Sequence, residues 1–215
     1  MPSHLLYLSG CNMRCGFCIG EANAMDPQVG RLLSGLWLRE TITWGRGRGA
    51  ANLQWVGGEP TIHVPAILGA LAACKPLPRL VWKSNFYWTS EAADLLDGVV
   101  DVYVADFKFG NDRCAGRIAG VEGYLGTVTR NLLATASRAR LIVRHLLLPG
   151  HFDCCYRVVV EWMRTWLPEV PLSVRDGYLP RWRARCFEEL AGVLDRETGK
   201  RARALAAERG LTVIG

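Results

Sequence analysis

Short β-rich runs alternate along the chain with stretches whose apolar residues recur at helical spacing. The runs Leu5–Leu8, Leu53–Val56, Leu80–Lys83, Val100–Asp106, Leu141–Leu147 and Pro171–Val174 predict strands. Between them, Leu33–Trp44, Val64–Ala73, Ser90–Leu96, Thr127–Ser137 and Cys155–Trp166 predict helices, with Ser90 or Thr89 as an N-cap. Residues Asp195–Arg209 predict a further helix stopped by Gly210, then a short strand over Leu211–Ile214.

Strand–helix–strand alternation of this kind predicts an α/β fold with a parallel sheet. Six βα units fall short of the eight in a closed barrel, leaving a doubly wound sheet or a partial (β/α)6 TIM-like barrel. The barrel is the expectation taken forward, as a single core domain over 1–215: six units to about residue 180, then a helical extension with a short strand over 181–215. In either fold, chemistry belongs at the carboxyl ends of the strands. The polar interruptions fall there in order: Cys11 after the first strand, Gly57–Pro60 after the second and Ser84–Asn85 after the third. Asp106 and Lys108 follow the fourth, Arg144–His145 end the fifth, and Arg175–Asp176 follow the sixth. Trp37, Trp44 and Trp162 recur on helical faces as core residues.

Half of the residues are hydrophobic and 21% charged, enough apolar surface for a sizeable core. The net charge of +6 is spread without a basic block, which argues against nucleic acid as partner. No apolar run reaches the roughly 18–20 residues of a membrane span, and Met1–Ser9 lacks the order of a signal peptide. A cytoplasmic location is therefore expected, where eight cysteines serve better as ligands and buried residues than as disulfides. The first apolar run begins at His4, so either the domain opens on a strand or an upstream segment is missing.

Three of those cysteines, Cys11, Cys15 and Cys18, form a C-x3-C-x2-C set in a loop carrying Gly10, Asn12 and Gly16. Thiolates suit zinc or iron–sulfur clusters, and both normally take four protein ligands. A cubane held by three would keep one iron open. A structural zinc completed by His4, His63, His145 or His151 is the competing reading. Cys74, Cys114, Cys154, Cys155 and Cys186 are not spaced as a second cluster; Cys154 and Cys155 are expected to point apart and pack in the core. His151 and Asp153 beside them are candidate substrate contacts.

The cysteine spacing, with Phe17 before the third cysteine, resembles the radical S-adenosylmethionine (SAM) superfamily. Gly57-Gly58-Glu59-Pro60 matches that family's motif after the second strand. The resemblance covers nearly the whole chain and is nearest to the activating enzymes of glycyl radical enzymes, the pyruvate formate-lyase activating enzyme group. It implies a [4Fe–4S] cluster on Cys11, Cys15 and Cys18, with SAM on the open iron. SAM contacts are implied at Phe17, Gly57, Gly58, Glu59, Pro60, Ser84, Asn85, Asp106, Lys108 and Arg144, with Glu59 accepting from the SAM ammonium. Arg144, Pro149 and Gly150 match an arginine and turn after the fifth strand, and Asp176, Tyr178 and Pro180 a motif of short activase-like proteins. Lys83 departs from the aspartate that helps bind a monovalent cation in activases, so its ammonium is expected to replace the cation.

The implied activity is reductive cleavage of SAM to a 5′-deoxyadenosyl radical that abstracts hydrogen, activase-like, from a glycyl radical enzyme or peptide. A flavodoxin- or ferredoxin-type protein would donate the electron. Two alternatives stay open: a small-metabolite substrate contacted by His145, Arg175 or Tyr178, and a non-catalytic iron–sulfur electron-transfer module.

Overall fold

The structure is a computed structural model and describes residues 2–215. Seven strands form one parallel sheet in sequence order: β1 (Ser3–Leu8), β2 (Asn52–Gly57), β3 (Arg79–Ser84), β4 (Val102–Asp106), β5 (Arg140–Leu146), β6 (Leu172–Arg175) and β7 (Val213–Ile214). Consecutive parallel neighbours joined by right-handed crossovers place every helix on the same side of the sheet. That is the winding of a barrel left open, so the partial TIM-like barrel holds and the doubly wound alternative is excluded. Beyond the six expected strands, β7 pairs with β6 through Leu172↔Val213 and Ser173↔Ile214 and extends the sheet.

The helices are α1 (Glu21–Met25), α2 (Gly35–Gly47), α3 (Val64–Ala72), α4 (Ser90–Leu96), α5 (Asp112–Ala119), α6 (Tyr124–Ala136), α7 (Val158–Trp166) and α8 (Arg196–Glu208). Thr89 stands at the N-cap of α4 without a side-chain bond, whereas Asn111 caps α5 by accepting from Cys114 N–H. α1 and α5 were not expected: α1 is a single turn, and α5 carries Gly116 with three charged residues in eight, which blurs the apolar period.

Strand register sorts the side chains onto two faces. Leu53, Trp55, Leu80, Trp82, Tyr103, Ala105, Leu141, Val143 and His145 lie under the helices and are buried. The opposite, concave face carries Tyr7, Gln54, Val81, Lys83, Asp106, Arg144 and Arg175 and is largely open, Tyr7 being 76% exposed. Trp37 and Trp162 pack against the core as expected. Trp44 does not: it is exposed and stacks under the Arg48 guanidinium, with its centroid 3.9 Å away. Among the described residues, no helix is long and apolar enough to cross a membrane.

Candidate functional site

The loop after β1 and the turn after β2 are zipped together by backbone. Gly58 N–H donates to Leu8 C=O at 2.7 Å, and Glu59 N–H to Gly10 C=O at 2.8 Å. Side chains would prevent this: Gly57 holds φ of +119° against the Leu8 backbone, and a Cβ on Gly58 would overlap Gly10 C=O. The Gly-Gly pair thus fixes where the chain enters Cys11. On the other side, Arg14 N–H and Gly16 N–H donate to Ala119 and Ile118 carbonyls, each at 2.8 Å, so the loop also rests on the end of α5.

Glu59 lies 1% exposed and joins the second strand's turn to the third. Its Oε1 accepts from Thr61 N–H (3.0 Å) and Thr61 Oγ1 (2.6 Å), and its Oε2 from Asn85 N–H (2.8 Å). A carboxylate offers about four lone-pair sites, and at least three are used inside the chain. Burial pushes this carboxyl above its ordinary pKa. Asn85 continues the chain of bonds. Its Nδ2 donates to Asn12 Oδ1 at 2.8 Å and approaches Cys11 Sγ at 3.8 Å, while its Oδ1 accepts from Tyr87 N–H at 2.9 Å. Ser84 Oγ accepts from Phe86 N–H at 3.0 Å and sits 3.4 Å from Thr61 Oγ1. Ser84 and Asn85, buried, brace the site from behind. Thr61 and Asn12 belong to the same network and were missed, since single polar residues one position from a motif carry no spacing signal.

Cys11 Sγ also accepts from Met13 N–H at 3.4 Å. Cys15 is buried, and Cys11 and Cys18 are partly exposed. Burial pushes the Cys15 thiol up to about 12 and the Cys11 thiol to about 11, with Lys108 the main cation opposing the shift at Cys15. Cys11 and Cys15 are therefore thiolates only beside added positive charge, as a metal centre would supply. They are not among the donor sets whose atoms all converge within 4.8 Å, which a single ion would need. Three separated thiols on one loop fit three irons of a cubane better than one zinc, and none of the four histidines supplies a fourth ligand to them: His63 Nε2 bonds to Ser9 C=O, His145 Nδ1 to Phe107 C=O, and His151 lies against Cys114 and Cys154. His4 packs its ring on Trp44.

Asp106, at the end of β4, pairs with two other candidate residues, Arg144 and Lys108. Arg144 donates through Nε to Oδ1 (2.5 Å) and through a terminal nitrogen to Oδ2 (2.9 Å), and Lys108 Nζ reaches Oδ2 at 2.6 Å. Burial alone would raise the Asp106 pKa, but Lys108 and Arg144 outweigh it and hold the carboxyl far below the usual range. Arg144 uses two of its five N–H groups on Asp106 and keeps three for the concave face. Lys83, on that face beside them, has its ammonium pushed by burial to about 8, with Asp106 opposing.

Other expected contacts turn out to be internal. Phe17 packs edge-on against Phe109 and near Tyr178 at centroid distances of 6.3 and 6.4 Å. Pro60 is the buried first residue of the 3-10 turn Pro60–His63. Tyr178 Oη donates to Leu190 C=O at 2.7 Å, and His145 is buried under the helices, so neither reaches a substrate on the concave face.

No family model matches the chain. It is 33% identical over its full length to the uncharacterised protein MJ0674 of Methanocaldococcus jannaschii, spanning 64% of that protein. A 77-residue stretch, 35% of the chain, is 34% identical to the GTP 3′,8-cyclase of Synechococcus elongatus, covering 24% of it. Among solved structures, SuiB of Streptococcus suis bound to S-adenosylmethionine superposes with a TM-score of 0.74 at 13% identity, over all of this chain and 50% of SuiB. A domain of a pyruvate-formate lyase-activating enzyme from Bacteroides vulgatus gives 0.60 at 13% identity, over 75% of this chain and 96% of that domain. The chain thus spans about half to two thirds of the longer proteins it matches end to end, and the structural likenesses establish a shared fold.

Proposed function

We propose that this chain, which resembles the radical SAM superfamily in both motif and fold, is a radical SAM enzyme acting on a peptide or protein substrate. One observation carries the reading. The cysteine loop, the Gly57-Gly58-Glu59-Pro60 turn and the Asn85 amide are bonded into one unit at the carboxyl rim, beside the Asp106–Arg144–Lys108 triad. An electron carrier needs only the thiols. The rest of that unit suits an amino-acid-like cofactor carrying both charges.

Cys11, Cys15 and Cys18 would hold a [4Fe–4S] cluster, with SAM bound beside it. When bound, that pair supplies a 5′-deoxyadenosyl radical on one-electron reduction. The chain's own work is to grip and shield. The Glu59 carboxylate is the acid of this unit that would face an ammonium, and Arg144 keeps donors for a carboxylate or hydroxyl. Met13 N–H and the Asn85 amide favour the thiolate of Cys11. Lys83, Lys108 and Arg144 make the concave face net positive around Asp106.

Leu5 and Tyr7 are exposed along the edge of that face, and Arg175 is exposed on it. An opening of this breadth favours a peptide segment, which can itself fill the gap and exclude water from the reacting centre. The test is anaerobic reconstitution with dithionite and SAM, followed by peptides bearing α-deuterated glycine. The reading expects 5′-deoxyadenosine formation and deuterium transferred into it. Cofactor cleavage with no transfer from any peptide would favour a small metabolite. A reconstituted cluster that binds no SAM would support the electron-transfer module and end the enzyme reading.

A further inference from the structure

A second set of ligands stands at the opposite end of α5, away from the cysteine loop. Cys114 lies in the first turn of α5, and His151, Cys154 and Cys155 follow β5, the two cysteines within a π-helical turn, Phe152–Arg157. In a regular α-helix adjacent side chains diverge, and here they do not: Cys154 and Cys155 Sγ lie 3.9 Å apart. Cys114 Sγ is 4.0 Å from Cys154 Sγ and 3.5 Å from His151 Nδ1. His151 Nδ1 is 3.2 Å from Cys154 Sγ and 3.8 Å from Cys155 Sγ. All four donor atoms fall within 4.8 Å of one another. A zinc ion ~2.3 Å from three sulfurs and ~2.05 Å from one nitrogen would place tetrahedral S···S pairs about 3.8 Å apart and S···N pairs about 3.5 Å apart. The three S···N distances fall on either side of the second value, and the two S···S distances lie within a few tenths of an ångström above the first.

The surroundings complete the pattern of a metal site. His151 Nε2 faces Glu189 Oε1 at 3.2 Å, the outer carboxylate that orients a metal-bound imidazole. Arg117 in turn pairs with Glu189. Asn111 donates to Cys154 C=O at 2.7 Å and approaches Cys155 Sγ at 3.9 Å. Gly110 is required here, because a Cβ would sit 2.7 Å from Cys155 C=O. Three of the ligands are buried, and a surface depression of about 440 Å³ lined by Cys114, His151 and Cys154 gives an ion a way in.

We infer that Cys114, His151, Cys154 and Cys155 bind one zinc ion as a closed, structural Cys3His site, distinct from the three-cysteine loop. Four protein ligands leave no position for water, so the ion is a fastener and not a catalyst. It clips the connection after β4 to that after β5, and Glu189 adds the one after β6. Because the far end of α5 supports Arg14 and Gly16, the clip also steadies the loop that carries Cys11, Cys15 and Cys18.

The test uses the tag-free full chain with Cys11, Cys15 and Cys18 all changed to serine, purified without chelator. Elemental analysis is expected to find about one zinc per chain. Cobalt added to the metal-stripped protein should give the intense visible bands of tetrahedral thiolate coordination, saturating at one equivalent, a readout that needs no altered ligand at the site. Added Cys114→Ser and Cys155→Ser should each remove most of the zinc, and Glu189→Gln should weaken it about 10–100-fold in chelator competition. Substoichiometric zinc with no tetrahedral cobalt bands overturns the site. One iron per chain in place of zinc overturns the assignment of the metal, and zinc undiminished by both serine variants overturns the ligands.

Discussion

Asn85 Nδ2 donates to Asn12 Oδ1 at 2.8 Å, joining the end of β3 to the middle of the cysteine loop across 73 residues of sequence. The same Asn85 presents its backbone N–H to Glu59 and its Oδ1 to Tyr87 N–H. One residue, through its side chain and its backbone N–H, therefore ties together three strand ends. Asn85→Ala would leave the Tyr87 N–H and the Asn12 carbonyl without their partners, a cost of about 1–3 kcal/mol. The expected outcome is a lower urea midpoint and a reconstituted protein holding less iron per chain than the parent. Full iron retention with an unchanged midpoint would show that the cysteine loop is positioned without this amide.

The glycines make a sharper contrast. A Cβ on Gly58 would overlap the Gly10 carbonyl, backbone against backbone, so Gly58→Ala must force the first two rim loops apart. Overpacking of this kind costs roughly 1–3 kcal/mol or more, and the separation of Gly10 from Glu59 should also lower SAM affinity. Gly69, within α3, has open space around the same position. Gly69→Ala should stabilise by about 0.4–1 kcal/mol through helix propensity and a less disordered unfolded chain. Thermal melts of the pair should move in opposite directions; equal shifts would mean that the close approach at Gly58 is not rigid.

The strands were legible in the sequence because their apolar runs are continuous or alternate cleanly, and the strand order followed from the simple succession of βα units. Cys11–Cys18 and the Gly-Gly pair were legible because their spacing is local. Three things were not. The zinc-like set joins Cys114 to residues 37–41 positions away, and adjacent cysteines converge only because the backbone there is π-helical, which no helical-period argument anticipates. Glu59 looked like a free ligand group, yet most of its acceptor sites are taken by Thr61 and Asn85. Tyr178 and His145 looked like substrate contacts, but their polar atoms are spent on Leu190 and Phe107 carbonyls. Sequence spacing shows which residues reach the rim; it does not show which of their hydrogen-bonding sites are already occupied.

The triad at the end of β4 and β5 should behave as one unit. Asp106 is the single acid between two cations that are themselves largely covered, with Arg144 29% and Lys108 18% exposed at the side chain. Asp106→Asn keeps the shape but removes the compensating charge, a change that costs on the order of 3–5 kcal/mol when partners stay buried. Arg144→Met alone should cost less, because Lys108 still answers Asp106. The double variant should then be markedly less unstable than the sum of the two, and urea unfolding of the four proteins measures that coupling. Strict additivity would mean that solvent reaches the triad freely and its members act independently.

His145 supplies a pH dependence whose sign is fixed by its burial. Under the helices, with Nδ1 2.7 Å from Phe107 C=O, its imidazole is pushed by burial from 6.5 to about 4; Lys108 opposes its protonation and Asp106 favours it. The unfolded chain therefore takes up a proton below about pH 6.5 that the folded chain refuses until about pH 4. Stability from this group is present above that upper value, falls by up to about 3 kcal/mol as the pH drops across the window, and is flat below it. Asp106 acts in a separate window, since its depressed carboxyl loses its contribution only as the pH falls through the usual carboxylate range and below. His145→Asn keeps an amide against Phe107 C=O and removes the titration. Urea midpoints followed from about pH 7.5 to about pH 4.5 should fall less steeply in the variant than in the parent, the difference confined to that interval. Parallel curves would mean that the folded and unfolded chains protonate this imidazole over the same pH range, so that its burial beside Tyr156 does not depress its pKa.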